Sequence, residues 1–565
     1  MKIRPFLSTF IISAALFAAT SLSAQQWGHY TLYGVMGNSN NYLIDTNNTV
    51  YHTWALGANY RTGYSSYLIP GGTLVKSVQR AGNSFSGGPI TGQVIKADWN
   101  GNIIWDYVYS TTQYCTHHDI CPMPNGNVLL IAYERKTAAE VAAAGCTTFS
   151  GEMWPDKIVE VQPTGLNTGT VVWEWHAWDH LVQSVNSSLA NYQTSIVNHP
   201  ELLNINYSAA KDWMHMNGVD YNPMLDQITF SCHNLHEIYV IDHSTTTAEA
   251  ASHSGGNSGK GGDILYRWGK PSAYNVTPST TIINVVHDAH WIKEGSPNAG
   301  RLVCFNNRGV SNTQSAVDQV SSPVNGYVYA IVPGQAFQPT SYTQRHACNG
   351  YSSNMGGSQQ LPNGNMLVCV ATAGSLYEID SAGNTIWSFN TGGSNAKAFR
   401  YDDCYVNNTA PAIPTITETS GTLDASSATT YQWYINGQPI PGATNQSCTP
   451  AADGIYVVRI TDANGCVFRY SAGYHFALPA AVENISKDTE LNFYPNPSTG
   501  LVSINENYFG GKDFEMTVYD SYGKLVAQQK NYSTIDLSSN SNGIYNVAIR
   551  LEKTGPVNRK IILIR

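Results

Sequence analysis

A short unit recurs along the first 400 residues: a strand, a tight turn of the Asn-Gly or Gly-Asn type, a second strand, and an aromatic-rich strand ending in Trp. Its copies are YLIDTNNTVYHTW (42–54), GQVIKADWNGNIIWDY (92–107), KIVEVQPTGLNTGTVVWEW (157–175), EIYVIDH…GGDILYRWG (237–269) and SLYEIDSAGNTIWSF (375–389), carrying Trp54, Trp105, Trp173 or Trp175, Trp268 and Trp387. The step from Trp268 to Trp387 is about twice the usual one, and YVYAIVPG (327–334) fits the gap as a unit without its Trp. TLVKSVQ, NVLLIAYE, QITFSCH, RLVCFNN and NMLVCVA lie between the copies as candidate inner strands. Such a unit cannot cover its own faces and needs neighbours on both sides. Six of them predict a six-bladed β-propeller over residues 25–406. Residues 136–156 and 176–211 read as insertions with some helix, and the Trp set reads as blade packing.

The composition agrees with an all-β chain. Only 12% of the 565 residues are charged, and Gly (49) and Tyr (35) are abundant, which favours strands and turns over helices. A net charge of −9 with no Lys/Arg block leaves no footprint for nucleic acid. At the N-terminus, residues 1–24 have two early basic residues, an apolar run too short to span a bilayer and small residues up to Ala24, the layout of a secretory signal peptide. No later segment is apolar for long enough to cross a membrane as a helix, so no transmembrane segment is expected. After the linker NNTAPAIPT, residues 413–476 resemble the immunoglobulin-like modules of secreted bacterial proteins, which implies a small β-sandwich. Ten cysteines suit an oxidising compartment; Cys448–Cys466 is the expected bridge, and Cys115 and Cys121 are candidates to staple a loop.

Twelve of the sixteen histidines lie between His117 and His290, bunched just ahead of strands. DWMHMNGVDY joins QITFSCHNLHEIYVID through the turn Asn222–Asp226, a hairpin with His215 and Asn217 at its start and His233 and His236 on its second strand. THHDICPMPNGN holds His117 and His118, and VVHDAHW holds His287 and His290. Imidazole serves as nucleophile, base and metal ligand near neutral pH, so histidines from several repeats predict one shared polar site. Strand neighbours face opposite ways, so only one of His117 and His118 is expected to point inward.

Set side by side, the H-x-N, HHD and HDA blocks make the region from about 28 to 405 resemble the bacterial arylsulfotransferases, propellers that need no nucleotide sulfate donor. The resemblance implies transfer of a sulfuryl group from a small-molecule aryl sulfate donor to a phenolic acceptor by a ping-pong route, without a cofactor or metal. It implies His287 as the transient nucleophile, with His118, His215 and Asn217 contacting the sulfuryl group. Thr372 resembles a site threonine, and His233 stands where the family carries an arginine. Histidine is a pH-dependent substitute for a guanidinium, which Arg308 would supply from the neighbouring unit. His290 is a further candidate for substrate binding; His117 and His236 are expected to be bystanders. A zinc or copper site, with Asp119 and Asp288 as outer partners, and a non-catalytic propeller that binds a ligand or glycan are the competing readings. Residues 488–565 carry LNFYPNPSTGLVSI, MTVYDSYGKLV, LSSNSNGIYNVAIR and RKIILIR in that order, which resembles the type A sorting domain of the type IX secretion system. That implies the type IX machinery as partner, passage through periplasm and outer membrane, and a small C-terminal β-sandwich on a protein that is secreted or at the cell surface.

Overall fold

Strand makes up 46% of the chain and helix 6%, as a charge-poor, Gly- and Tyr-rich composition requires. The computed structural model describes residues 26–478, 491–504, 509, 513–521, 523–551 and 557–565; the expected signal peptide lies outside them. Two compact units divide between Leu478 and Pro479.

Between Tyr30 and Tyr401 the chain forms six four-stranded antiparallel sheets in succession. Sheets two to six begin with the strands Thr62–Ile69, Tyr114–Pro122, Met216–Asn222, Val286–Trp291 and Gly357–Gln360. Sheet one is completed by Phe399–Tyr401, which pairs with Tyr30–Tyr33 and so joins the end of the ring to its beginning. These inner strands touch in turn around a common axis, the arrangement of a β-propeller.

The recurring Trp proves to be the latch between sheets. From the outer strand of one sheet each indole N–H reaches the next: Trp54 to the Asp98 carbonyl (3.0 Å), Trp105 to that of Thr168 (3.0 Å), Trp173 to Thr245 Oγ1 (3.1 Å) and Trp268 to the Pro339 carbonyl (2.8 Å). Trp387 of sheet six donates to Asn48 Oδ1 of sheet one (2.8 Å), closing the circle. Each ring thereby buries a large apolar face and satisfies its one donor. The fifth sheet departs from expectation. Its third and fourth strands are Gln314–Val320 and Gln344–Ala347, whereas Val328–Tyr329, from the stretch read as the missing unit, pairs only with Val324–Asn325 just ahead of it. Here His346 Nε2, 3.0 Å from Tyr377 Oη of sheet six, stands in for the Trp latch.

A buried lysine fastens all six inner segments. Lys397 Nζ lies 2.5 Å from Asp119 Oδ2 and 2.6 Å from Asp288 Oδ1. Asp119 also accepts from Tyr67 Oη (2.7 Å) and the Val219 N–H (3.1 Å), and Asp288 accepts from the Ser358 N–H (2.8 Å). Asp119 and Asp288 are therefore counter-ions of Lys397 rather than outer partners of a metal. Burial pushes the Asp288 carboxyl up, but Lys397 outweighs it and holds the group down at about 2.

Beyond the propeller, a three-stranded sheet begins at Ile416 and a second sheet is built around Thr430–Ile435 and Gly454–Thr461, enclosing Leu423, Trp433, Tyr456 and Val458. This module belongs to the same compact unit as the propeller. The bridge joining them is Cys404–Cys466, not the expected Cys448–Cys466; Cys448, Cys115 and Cys121 are buried free thiols. Cys404 follows the closing strand of the ring, so the bridge fixes the linker at its root. In the second unit a three-stranded and a four-stranded sheet close over Val502, Met516, Val518, Val547 and Ile561.

Candidate functional site

Ladder irregularities on the inner strands create the site. The pairing register slips between Thr116 and Ile120, between Met216 and Gly218, and between His287 and His290. His118 (φ 51°), His215 (56°) and Asp288 (59°) lie at or beside these slips in the left-handed region, at a cost of about 1–3 kcal/mol each. A bulge re-aims the side chains next to it. Gly218 is obligatory here, because a Cβ on it would come within 2.7 Å of Ser231 Oγ and 2.9 Å of the Asp288 and Ala289 nitrogens.

Four imidazoles from three neighbouring sheets consequently meet near the axis. Ring centroids are separated by 4.6 Å between His118 and His215, 5.1 Å between His215 and His233, and 5.7 Å between His233 and His287. His118 and His287 are buried, His215 and His233 only partly so, which places the opening on their side. Burial, then the neighbouring rings, push His118 and His287 well below the usual histidine range; His233 is lowered for the same reasons. His118, His233 and His287 are thus uncharged near neutral pH.

The tautomer of His287 follows from its surroundings. Asn307 Nδ2 donates to the Ser352 carbonyl (2.8 Å) and the Met355 carbonyl (2.7 Å), so its Oδ1 must be the atom facing His287 Nδ1 at 2.7 Å. Nδ1 carries the hydrogen, and Nε2 keeps the lone pair, which receives the Met355 N–H at 3.0 Å. His118 is wired differently. Its Nδ1 lies 2.8 Å from His117 Nδ1, and His117 Nε2 lies 2.8 Å from Asp156 Oδ1, all three residues being buried. Tyr133 stacks on His117 with centroids 3.6 Å apart. Burial pushes Asp156 well up and His117 well down. His215 gives its Nδ1–H to Asp212 Oδ2 (2.6 Å), and His233 its Nδ1–H to Asn234 Oδ1 (2.8 Å).

The remaining expected residues divide. Asn217 is fully buried; it donates to the Val286 carbonyl (2.7 Å) and accepts from Ser231 Oγ (2.6 Å), fastening the strand ahead of His287 rather than facing the rings. Arg308 is exposed and has no ion pair among the described residues; its charge is felt at His233 and His236, so it stands at the rim. Thr372 lies in a 3-10 turn, Ala371–Ala373, not within a strand. It is exposed, with Oγ1 3.2 Å from Ser352 Oγ. His290 does not join the cluster: the slip after His287 leaves its Nδ1 on the Asp288 carbonyl (2.9 Å), beside a separate cavity of about 510 Å³ lined by Lys397, Tyr67 and Phe468. His236 accepts the Val285 N–H (2.9 Å) and is a structural residue. His117 stands behind His118, bonded to its Nδ1, because the bulge lets adjacent side chains meet. Sequence reading gave no role to Asp156, far from the histidine blocks in the chain, or to Asn307, which stands on the strand paired with that of His287; the HHD and HDA motifs themselves were the signal for the bulges.

A sequence model described as arylsulfotransferase (ASST) matches residues 39–409, all of the ring of sheets but the strand Tyr30–Tyr33, and most of the chain. The chain belongs to the arylsulfotransferase family. A second model, for the secretion system C-terminal sorting domain, matches residues 492–564, so this arylsulfotransferase-family protein is exported to the cell surface or secreted. No curated protein matches the chain. Similar solved structures include a protein of unknown function from Bacteroides caccae (11% identity, 66% of this chain and 98% of that one, TM-score 0.37). The periplasmic gluconolactonase PpgL of Pseudomonas aeruginosa is another (13% identity, 66% and 98%, TM-score 0.34). At such scores these likenesses carry no argument about activity.

Proposed function

We propose that the protein is an aryl-sulfate sulfotransferase that carries the sulfuryl group on His287 between donor and phenolic acceptor. The observation that carries this reading is the locked tautomer of His287, a buried neutral imidazole that keeps its lone pair on Nε2 and stands with its ring 5.7 Å from that of His233. Sulfuryl transfer passes through a loose transition state with charge on the peripheral oxygens, so positioning and aimed donors do most of the catalysis. With the Met355 N–H displaced, Nε2 attacks sulfur and the S–O bond to the aryl group breaks. Nδ1 keeps its hydrogen on Asn307 throughout, so the adduct is an N-sulfoimidazolium, which readily gives up its sulfuryl group.

The Asp156–His117–His118 chain supplies the proton. In its loaded form the proton sits on Asp156, the form favoured by burial, and His118 presents Nε2–H to the cavity. The departing phenolate takes that hydrogen; His118 is refilled at Nδ1 from His117, and His117 at Nε2 from Asp156, which becomes a carboxylate. An acceptor phenol reverses the movement as its oxygen attacks sulfur and the S–N bond breaks. His215, His233 and Arg308 line the open side, where the sulfuryl oxygens and the aryl group enter.

A second reading, a secreted propeller that binds a ligand without turnover, is favoured by the Met355 N–H on Nε2 and by His233 in place of an arginine. Intact-mass measurement after mixing with an aryl sulfate, together with turnover of a chromogenic aryl sulfate and a phenol, separates the two. Wild type should gain one labile sulfuryl group, and His287→Ala should neither gain it nor turn over while folding normally. A His287→Ala protein working at the wild-type rate, or a wild type that never becomes labelled, sinks the proposal.

A further inference from the structure

Away from the axis, two histidine rings converge on one carboxylate. His180 Nδ1 lies 2.9 Å and His253 Nδ1 2.7 Å from the same atom, Asp263 Oδ1, and the three ligand atoms fall within 4.8 Å of one another. His180 Nε2 faces the Ala250 carbonyl at 2.8 Å, so that nitrogen must bear hydrogen. A neutral His180 therefore turns the lone pair of Nδ1 toward a carboxylate oxygen, two acceptors face to face. Either an extra proton or a cation has to lie between them.

The frame around these groups is built before any ion arrives. Trp175 stacks on His180 with planes 4° apart, and its indole N–H donates to the Gly262 carbonyl at 2.7 Å, fixing the residue ahead of Asp263. A Cβ on Gly262 would collide with the Ala250 carbonyl oxygen at 1.9 Å, so only glycine lets the loop close over His180. The bond from His180 Nε2–H to a backbone carbonyl is the outer contact that orients metal-bound imidazoles elsewhere. Asp263 and His180 are buried, whereas His253 is 64% exposed, giving an ion a route in and room for water.

We propose that His180 Nδ1, His253 Nδ1 and Asp263 bind a divalent transition-metal ion of the zinc type, clipping the 252–263 loop to the segment that leaves the third sheet. Two imidazoles and a carboxylate with a water in the fourth position suit Zn²⁺. Tetrahedral ligands about 2.0–2.1 Å from the ion stand roughly 3.3 Å apart, a small opening of the present separations. Nothing in this inference rests on the sulfuryl-transfer reading, and no residue is shared between the two sites.

The test uses the full chain dialysed against zinc and then against metal-free buffer. Wild type should retain zinc that gives an anomalous-scattering peak among His180, His253 and Asp263 in crystals, and should melt at a higher temperature with zinc than with chelator. His253→Ala, an exposed position whose loss leaves the fold intact, and Asp263→Asn should each bind zinc at this site about tenfold or more weakly. A peak confined to the central imidazoles, no retained zinc, or unchanged binding by both variants overturns the proposal and leaves a cluster joined by protons alone.

Discussion

Each histidine of the central cluster has its Nδ1 committed to the protein, and that commitment decides what Nε2 can do. Asn307 leaves the His287 lone pair on Nε2, the atom proposed as the nucleophile, and His117 makes His118 either a donor or an acceptor according to where the Asp156 proton lies. Asp156→Asn cannot give up or regain a proton, so sulfuryl transfer should slow by about 10²–10⁴-fold. The loss should be larger for donors whose leaving phenol is a weak acid than for nitrophenyl esters, whose phenolates need no proton. Equal losses across a series of leaving groups, measured as kcat/KM, would show that Asp156 only supports the strand carrying Met216. None of this wiring was legible in the sequence, because Asp156 and Asn307 lie beyond the motifs and reach the rings only through the fold.

At the scale of the element, the repeat was read correctly as strand, turn and strand, and its Trp as packing. What periodicity could not tell was the direction of each indole N–H, which points into the next sheet rather than back into its own. Trp105→Phe keeps the apolar face but leaves the Thr168 carbonyl without its donor. It should lower stability by about 1–3 kcal/mol, read from urea unfolding, with little change in the slope against denaturant. A neutral result would mean that water replaces the indole at no cost. The fifth sheet was misassigned because its latch is His346 and Tyr377, so no Trp marked the boundary. In the HHD pair the bulge and the positive φ of His118 bring its Nδ1 onto His117, a contact that strand alternation does not give.

Over the whole molecule, buried histidines set opposite limits on the pH of greatest stability. His243, between Asp226 and Glu160, and His176, between Glu134 and Glu174, are pulled down by burial but raised more by those carboxylates, to about 9. Their contribution is complete below the unfolded value of about 6.5 and disappears as pH rises through 9. His117, His118 and His287 are held neutral, so the unfolded chain binds more protons than the folded one below about 6.5, and stability falls there as pH falls. Thermal unfolding followed between pH 5 and pH 10 should therefore give a dome with its top near neutrality (roughly, from those reference values). A midpoint still climbing from pH 7 to pH 9 would contradict the charge state assigned to His243 and His176.

The sequence by itself determined the strand content, the repeated sheet-forming unit, the family and the export tail, because alternation, turn chemistry and block order are local properties that neighbouring residues encode. It also named the rings that meet at the axis, since their motifs sit at strand starts. Only the tertiary structure decided that Cys404 pairs with Cys466, that Lys397 holds Asp119 and Asp288, and that His290 turns away while His117 bonds to His118. Those outcomes depend on which distant strands lie side by side around the ring and on one-residue slips in their register. Both are set by packing between sheets, which no local pattern records.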